Sequence, residues 1–144
     1  MAVSDACELC IGAGGEILWQ DERCRLVQVA DAAYPGFCRV VWNHHVAEMT
    51  DLDAADRHHL MTVVFAAEFA LRATARPDKV NLASFGNVVP HLHWHVIPRW
   101  RDDRHFPNPV WGAALRDAPA RPAADDAALR AAFVGALTEE QAGS

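Results

Sequence analysis

Three histidines occur at alternate positions in HLHWHVIPRW, residues 91–100. In an extended strand successive side chains point to opposite faces. His91, His93 and His95 then share one face, and Leu92, Trp94 and Val96 share the other. A single strand histidine is most often a satisfied, half-exposed residue. Three on one face is a different matter, because core packing never asks for a row of imidazoles. Two chemistries use such a row. Three imidazoles can bind a metal such as zinc. Alternatively, one neutral imidazole attacks phosphorus while its neighbours hold the oxygens and the leaving group. Side chains at i, i+2 and i+4 splay apart, so convergence on one ion is difficult. That favours the nucleophile.

The surrounding elements must hold this strand flat, with its apolar side covered. EILWQD (residues 16–21), RLVQVA (25–30) and CRVVW with Asn43 (38–43) read as three strands separated by turn signals, among them Pro35-Gly36. From Ala54 to about Ala75, Leu60, Val63, Val64, Ala67 and Leu71 fall at helical spacing and form a stripe for one sheet face. Asp53 is placed to cap that helix, with Asp56 three residues on, and Arg76-Pro77 ends it. KVNLASFGN (79–87) and the histidine run supply two more strands. After an irregular proline-rich segment, the Ala-rich tail holds a last helix over 125–138. Strands, helix and strands in that order predict an α+β fold with an antiparallel sheet of about five strands. The expected organisation is a head at 1–15, a main domain at 16–112 and a tail at 113–144.

The chain has 144 residues, enough for one domain with a real core. Its formal net charge of -6 argues against bulk affinity for nucleic acid or an anionic membrane. A small phosphate ligand needs only a local group of donors. No apolar run approaches the roughly 20 residues of a spanning helix, and the first ten residues lack a signal-peptide pattern. A cytoplasmic location is therefore expected. There Cys7, Cys10, Cys24 and Cys38 are thiols or metal ligands rather than disulfides. The pair Cys7-x-x-Cys10 supplies half of a tetrahedral zinc shell.

HLHWHVI resembles the His-φ-His-φ-His-φ-φ signature (φ apolar) of the histidine-triad (HIT) nucleotide hydrolases and transferases. VVWNHHVAEMTDL resembles the segment leading into that family's long helix, and His45 matches its histidine. Asn81 and Gly86 match an asparagine and a glycine upstream of the triad. The resemblance covers about residues 7–112 and is to a bacterial diadenosine tetraphosphate hydrolase-like member. It implies that His93 is the nucleophile, taking a nucleoside monophosphate onto its ring nitrogen, with His91 and His95 completing the triad. His95 would orient the phosphate and Asn81 would bind phosphate or ribose. Gly86, Asn87 and Val88 would lie in the loop over the α-phosphate. Leu18, Val27 and Val29 are candidates for the wall of the base pocket. The resemblance also implies a structural zinc held by Cys7, Cys10, His45 and His91, and a homodimer joined at its sheet edges.

The chain departs from the family at several points. Val88 stands where many relatives have Ser or Thr, Asn87 where Gln is frequent, and Trp42 where proline is common. The expected substrates are dinucleoside polyphosphates or nucleoside phosphoramidates, cut at the α-phosphate. The alternative is a nucleotide-binding module with little turnover, motivated by Val88. A second rival is a zinc-dependent hydrolase that uses the histidines as ligands. Among other residues, His58 and His59 read as an exposed helix face, and His44 points away from His45. Cys24 and Cys38 read as buried thiols. Arg99 meets either a phosphate or a carboxylate, and His105 lies where it could approach the site. Trp94, Trp100 and Trp111 read as core and interface.

Overall fold

The computed structural model describes residues 6–143, so the first five residues of the expected head and the last of the tail lie outside it. The elements in chain order are α1 (Glu8–Ile11), β1 (Glu16–Gln20), β2 (Cys24–Gln28), β3 (Cys38–Trp42), a 3-10 turn (Met49–Asp51), α2 (Ala54–Ala75), β4 (Lys79–Ala83), β5 (His93–Arg99) and α3 (Asp126–Ala142). The strands form one sheet ordered β1-β2-β3-β5-β4, with every neighbouring pair antiparallel. This is the expected α+β architecture.

Strand register separates the two faces of the sheet. Leu26, Val40 and Trp94 are cross-strand partners on the face under α2. One residue along each strand, Val27, Arg39, His95 and Ala83 make a row on the opposite face. The α2 stripe of Leu60, Val63, Val64, Ala67 and Leu71 is wholly buried. Each such large aliphatic side chain stabilises the fold by about 1.5–3 kcal/mol relative to exposure. Asp53 accepts from the Asp56 N–H at 2.8 Å, which caps the helix as its sequence predicts. The chain leaves α2 through Arg76, at φ 49°, immediately before Pro77. α3 lies against α2 and buries Leu129, Phe133, Ala136 and Leu137 in the same core. It runs four residues past the expected end at 138, through Glu139, Glu140 and Gln141, which are good helix formers without an apolar period.

Other boundaries shift for local reasons. β4 ends at Ala83 rather than 87, because Gly86 turns the chain at φ 70°. β5 begins at His93 rather than 91. The His91 N–H bonds Val89 O at 2.8 Å and the Leu92 N–H bonds Val46 O at 2.8 Å, so both leave the ladder. His59 corrects an expectation: it is buried, and its Nε2 lies 2.7 Å from Asp21 Oδ2. Asp21 also accepts the backbone N–H groups of Arg23 and Cys24, both at 2.8 Å. Burial alone would raise the Asp21 pKa, but these N–H groups and His59 bring it below its ordinary value. The β1–β2 turn is thereby latched to the first turns of α2. Helical periodicity could not show which turn that end of the helix would meet.

Candidate active site

The head reaches the face opposite the helices through two arginines. Arg25, 8% exposed, donates from Nε to Ala13 O at 2.8 Å and from Nη2 to Leu9 O at 2.7 Å and Gly12 O at 3.2 Å. Its Nη1 donates to Asn43 Oδ1 at 2.9 Å. Arg39 donates from Nη1 to Gly14 O at 3.0 Å. Such contact requires the backbone to come very close. At Gly15 (φ 156°) a Cβ would fall 2.4 Å from Gln28 O, so only glycine fits. Thus α1 is pressed onto Val27 and Val41, and Cys7 and Cys10 are carried to the start of the triad.

There Cys7, Cys10, His45 and His91 bring four donor atoms within 4.8 Å of one another. Cys7 Sγ lies 3.3 Å from His91 Nδ1, and Cys10 Sγ lies 3.3 Å from His45 Nδ1 and 3.5 Å from His91 Nδ1. The two Nδ1 atoms are 3.2 Å apart. Zinc–ligand lengths set tetrahedral edges of about 3.3 Å between two nitrogens and about 3.6 Å between nitrogen and sulfur. The separations match those edges. The outer shell fits as well. His91 Nε2 must donate to the Trp42 carbonyl, 2.6 Å away, which leaves the Nδ1 lone pair facing the cluster. The four residues therefore suit a tetrahedral metal.

His93 is fixed by the same logic. Its Nδ1 lies 2.6 Å from the His91 carbonyl, which can only accept. The proton therefore sits on Nδ1, and Nε2 carries a free lone pair. Burial, chiefly, lowers the pKa of His93, with Arg39 adding to the effect against the hydrogen bond to His91. Burial, then His93 and Arg39, push His95 down to about 4. Both rings are thus neutral near pH 7. They meet edge to face with centroids 4.8 Å apart. Phe37 and Trp111 hold the other sides of His95, at 5.9 and 4.7 Å. The buried Nδ1 of His95 has no protein partner among the described residues.

The remaining candidates are placed as follows. Asn81 lies on β4, two residues from Ala83, the cross-strand partner of His95. It lines a cavity of about 520 Å³ with Ala83, Phe85, Ile97 and Trp111, a volume in the range of small-molecule sites. Gly86 borders a second hollow, beside His91 and His93. Asn87 is exposed, and Val88, 93% exposed, extends into solvent. Leu18 is corrected: it packs in the core under the helices, on the face away from the triad. Val27 is sealed under the head, while Val29 lies half-buried against Tyr34, Phe37 and Ile97. Arg99 pairs with the Asp103 carboxylate, and His105 meets Tyr34 OH at 2.6 Å rather than a triad ring. His44 is exposed, and burial pushes the Cys38 thiol up to about 12. Cys24 is likewise buried, with its pKa raised. Of the three tryptophans, Trp94 and Trp100 pack in apolar clusters, whereas Trp111 is 52% exposed beside His95.

Sequence reasoning missed Arg25, Arg39, Phe37 and Trp111 at the site. A signal for the first two was available, since each arginine sits at the inward phase of an otherwise apolar strand. Nothing local marks Phe37 or Trp111, which arrive from loops.

Residues 13–102 match the HIT domain family. The chain belongs to that family. Its fold is similar to that of a histidine triad protein from Marinobacter aquaeolei VT8, which is 25% identical with a TM-score of 0.71, covering 96% of this chain and 98% of that one. A Zn-bound histidine triad family protein from Mycobacterium smegmatis is 19% identical with a TM-score of 0.60, covering 96% and 98%. Among curated proteins, the chain is 31% identical over 87 residues to the AP-4-A phosphorylase of Mycobacterium tuberculosis. That stretch covers 56% of this chain and 45% of the relative, so less than half of the curated relative's length is matched.

Proposed function

We propose that the protein is a nucleotide hydrolase or nucleotidyl transferase that works through a nucleotidyl group on His93. The observation that carries this reading is the tautomer of His93, with Nδ1–H given to the His91 carbonyl and a free lone pair on Nε2. In the first step Nε2 attacks the α-phosphorus, a P–N bond forms, and the bond from phosphorus to the leaving group breaks. The leaving group departs with that electron pair, as a phosphate anion or, once protonated, as an amine. In the second step water attacks the same phosphorus, the P–N bond breaks and its electrons return to Nε2. The water gives up a proton to solvent, and the nucleoside monophosphate is released. His95 stands beside the reacting atom to orient a phosphoryl oxygen. The substrates are dinucleoside polyphosphates or nucleoside phosphoramidates. The AP-4-A phosphorylase relative supports the first class.

Cys7, Cys10, His45 and His91 would hold a zinc ion as a closed, structural centre, in keeping with the zinc-bound M. smegmatis relative. With four protein donors, zinc would leave no open position for substrate. It would tie the head to the strand that carries the nucleophile. We place a homodimer contact at β4. That strand is an edge of the sheet, and Leu82 on it, Phe85 just beyond it and Phe65 and Phe69 on α2 are each 37% exposed or more.

The test is His93→Ala. Removing a covalent nucleophile should reduce turnover by several orders of magnitude with the fold intact. Activity near wild type would sink the assignment. Val88 supports the second reading, a nucleotide-binding module, because no hydroxyl stands at that position to help a leaving group. That reading holds if the wild-type protein binds AMP but turns over neither substrate class.

A further inference from the structure

Asp103, Arg99 and Asn81 form a hydrogen-bonded line that runs from the buried ion pair to half-buried Asn81, which lines a cavity with Trp111, itself packed on His95. Arg99 is 2% exposed and Asp103 0%. The Asp103 carboxylate accepts from Arg99 Nε at 2.9 Å and Nη2 at 3.1 Å, and from Tyr34 OH at 3.1 Å. It also accepts the backbone N–H groups of Trp100, His105 and Phe106, at 3.1, 3.0 and 2.7 Å. Six donors on one carboxylate hold it ionised, with its pKa well below the usual range although burial opposes this. The guanidinium is therefore locked in place, and Nη2 makes a further bond to Asn108 O at 2.7 Å. That leaves Nη1, which lies 2.8 Å from Asn81 Oδ1.

Arginine has five N–H donors and no acceptor. The Asn81 atom facing it must therefore be the amide oxygen, and the usual ambiguity of an asparagine flip does not arise. Asn81 Nδ2 makes no bond within the protein among the described residues, and the half-buried residue lines the 520 Å³ cavity. What Asn81 has left to offer a ligand is a pair of N–H donors.

We propose that Arg99, braced by Asp103, is a positioning residue that forces Asn81 to present donors, never its carbonyl, to acceptor oxygens of the bound nucleotide. Without the brace the amide could turn, and its carbonyl would then face an anionic phosphoryl group and repel it. The inference rests on the nucleotide reading above. It also gives a purpose to a buried ion pair. Burying such a pair is weak evidence for stability in itself, and an apolar pair of similar volume would often serve the fold as well.

The probe is AMP, with affinity measured by calorimetry and stability by thermal unfolding. Asn81→Asp keeps the shape and gives Arg99 a carboxylate to pair with. Stability should hold or rise, while the lost donor and added charge should weaken AMP binding by roughly tenfold to a hundredfold. Arg99→Lys supplies one point donor in place of a fork. It should weaken AMP binding when Asn81 is present and change little in an Asn81→Ala background. Equal loss in both backgrounds would mean Arg99 supports only the fold, and would overturn the proposal. If Arg99→Lys does not fold, Asn81→Asp decides alone, and AMP binding at wild-type strength overturns it. Wild-type protein that binds no AMP defeats the nucleotide reading and this inference together. Binding by wild type with no loss in Asn81→Asp defeats this inference only.

Discussion

At the scale of single residues, two of the three triad imidazoles have their tautomers set by a backbone carbonyl. Trp42 O fixes His91 and His91 O fixes His93, both at 2.6 Å. His91, just before β5, and His93, its first residue, are thereby directed to different tasks. The His91 lone pair faces two cysteines, and that of His93 faces the open site. His95 is neutral for another reason, the burial that pushes it down to about 4. This carries a consequence for stability. Its pKa in the fold lies below the ordinary value of 6.5, so between pH 6.5 and about 4 the unfolded chain binds a proton that the folded chain does not. Stability from this group is fully present above pH 6.5 and is lost as pH falls through that window. Thermal unfolding of wild type and His95→Gln across pH 4–7.5 checks this, with the expected result a flatter profile in the variant. Parallel profiles would show that His95 is not held neutral by the fold.

The shared face of His93 and His95 could be read from spacing alone because period-two alternation is rigid within a strand, whereas His91 lies just before β5. The CxxC pair was legible as half of a candidate metal shell, but His45 and His91 joined it only through family resemblance. The contacts that bring the cysteines and His45 to His91 span up to 84 residues of chain, and no local pattern encodes such a distance. The orientation of Asn81 was not legible at all. It depends on Asp103, which reads as one more acid in RDDR until the fold buries it. Val88 was singled out for its chemistry, but only the structure shows that its side chain reaches solvent.

At the scale of elements, the head matters most. α1 has four residues, far too few to be stable as an isolated helix. It is held by Arg25 and Arg39, by the glycine turn, and by the cysteine–histidine cluster. The sequence marked CxxC and set two arginines at the inward phase of apolar strands, but no local pattern ties those arginines to the head. Protein prepared without chelator is expected to carry about one zinc per chain, as in closed four-donor sites. Cys7→Ser or chelation should then lower the unfolding temperature and expose the head to proteolysis, because metal affinity becomes folding free energy. Elemental analysis and a thermal scan check this, and zinc-free protein of unchanged stability would remove the centre. In contrast, the main strands and α2 were legible to within a few residues. Their apolar periods are strong, and Asp53 and Pro77 punctuate the helix.

At the scale of the whole molecule, the sheet separates two kinds of work. One face is a core closed by α2 and α3. The other carries the cysteine–histidine cluster, the triad and the Asn81 line side by side. β1 and β4 are the two edges, and α2 carries the exposed aromatics Phe65 and Phe69. An unpaired edge with apolar neighbours is a template for another chain. Phe69→Glu, on the exposed side of α2, is expected to halve the mass seen by sedimentation equilibrium at micromolar protein. A wild-type protein that already sediments as a monomer would refute the dimer.

The central claim is that His93 Nε2 carries the nucleotidyl group. Its most direct test is rapid acid quenching of the protein with a diadenosine polyphosphate or an adenosine phosphoramidate, followed by mass spectrometry of the peptide containing residues 91–99. The expected result is one adenylyl group on His93, formed within the first turnover and absent in His93→Ala. Turnover at full rate with no adduct on that peptide at any time point would contradict it.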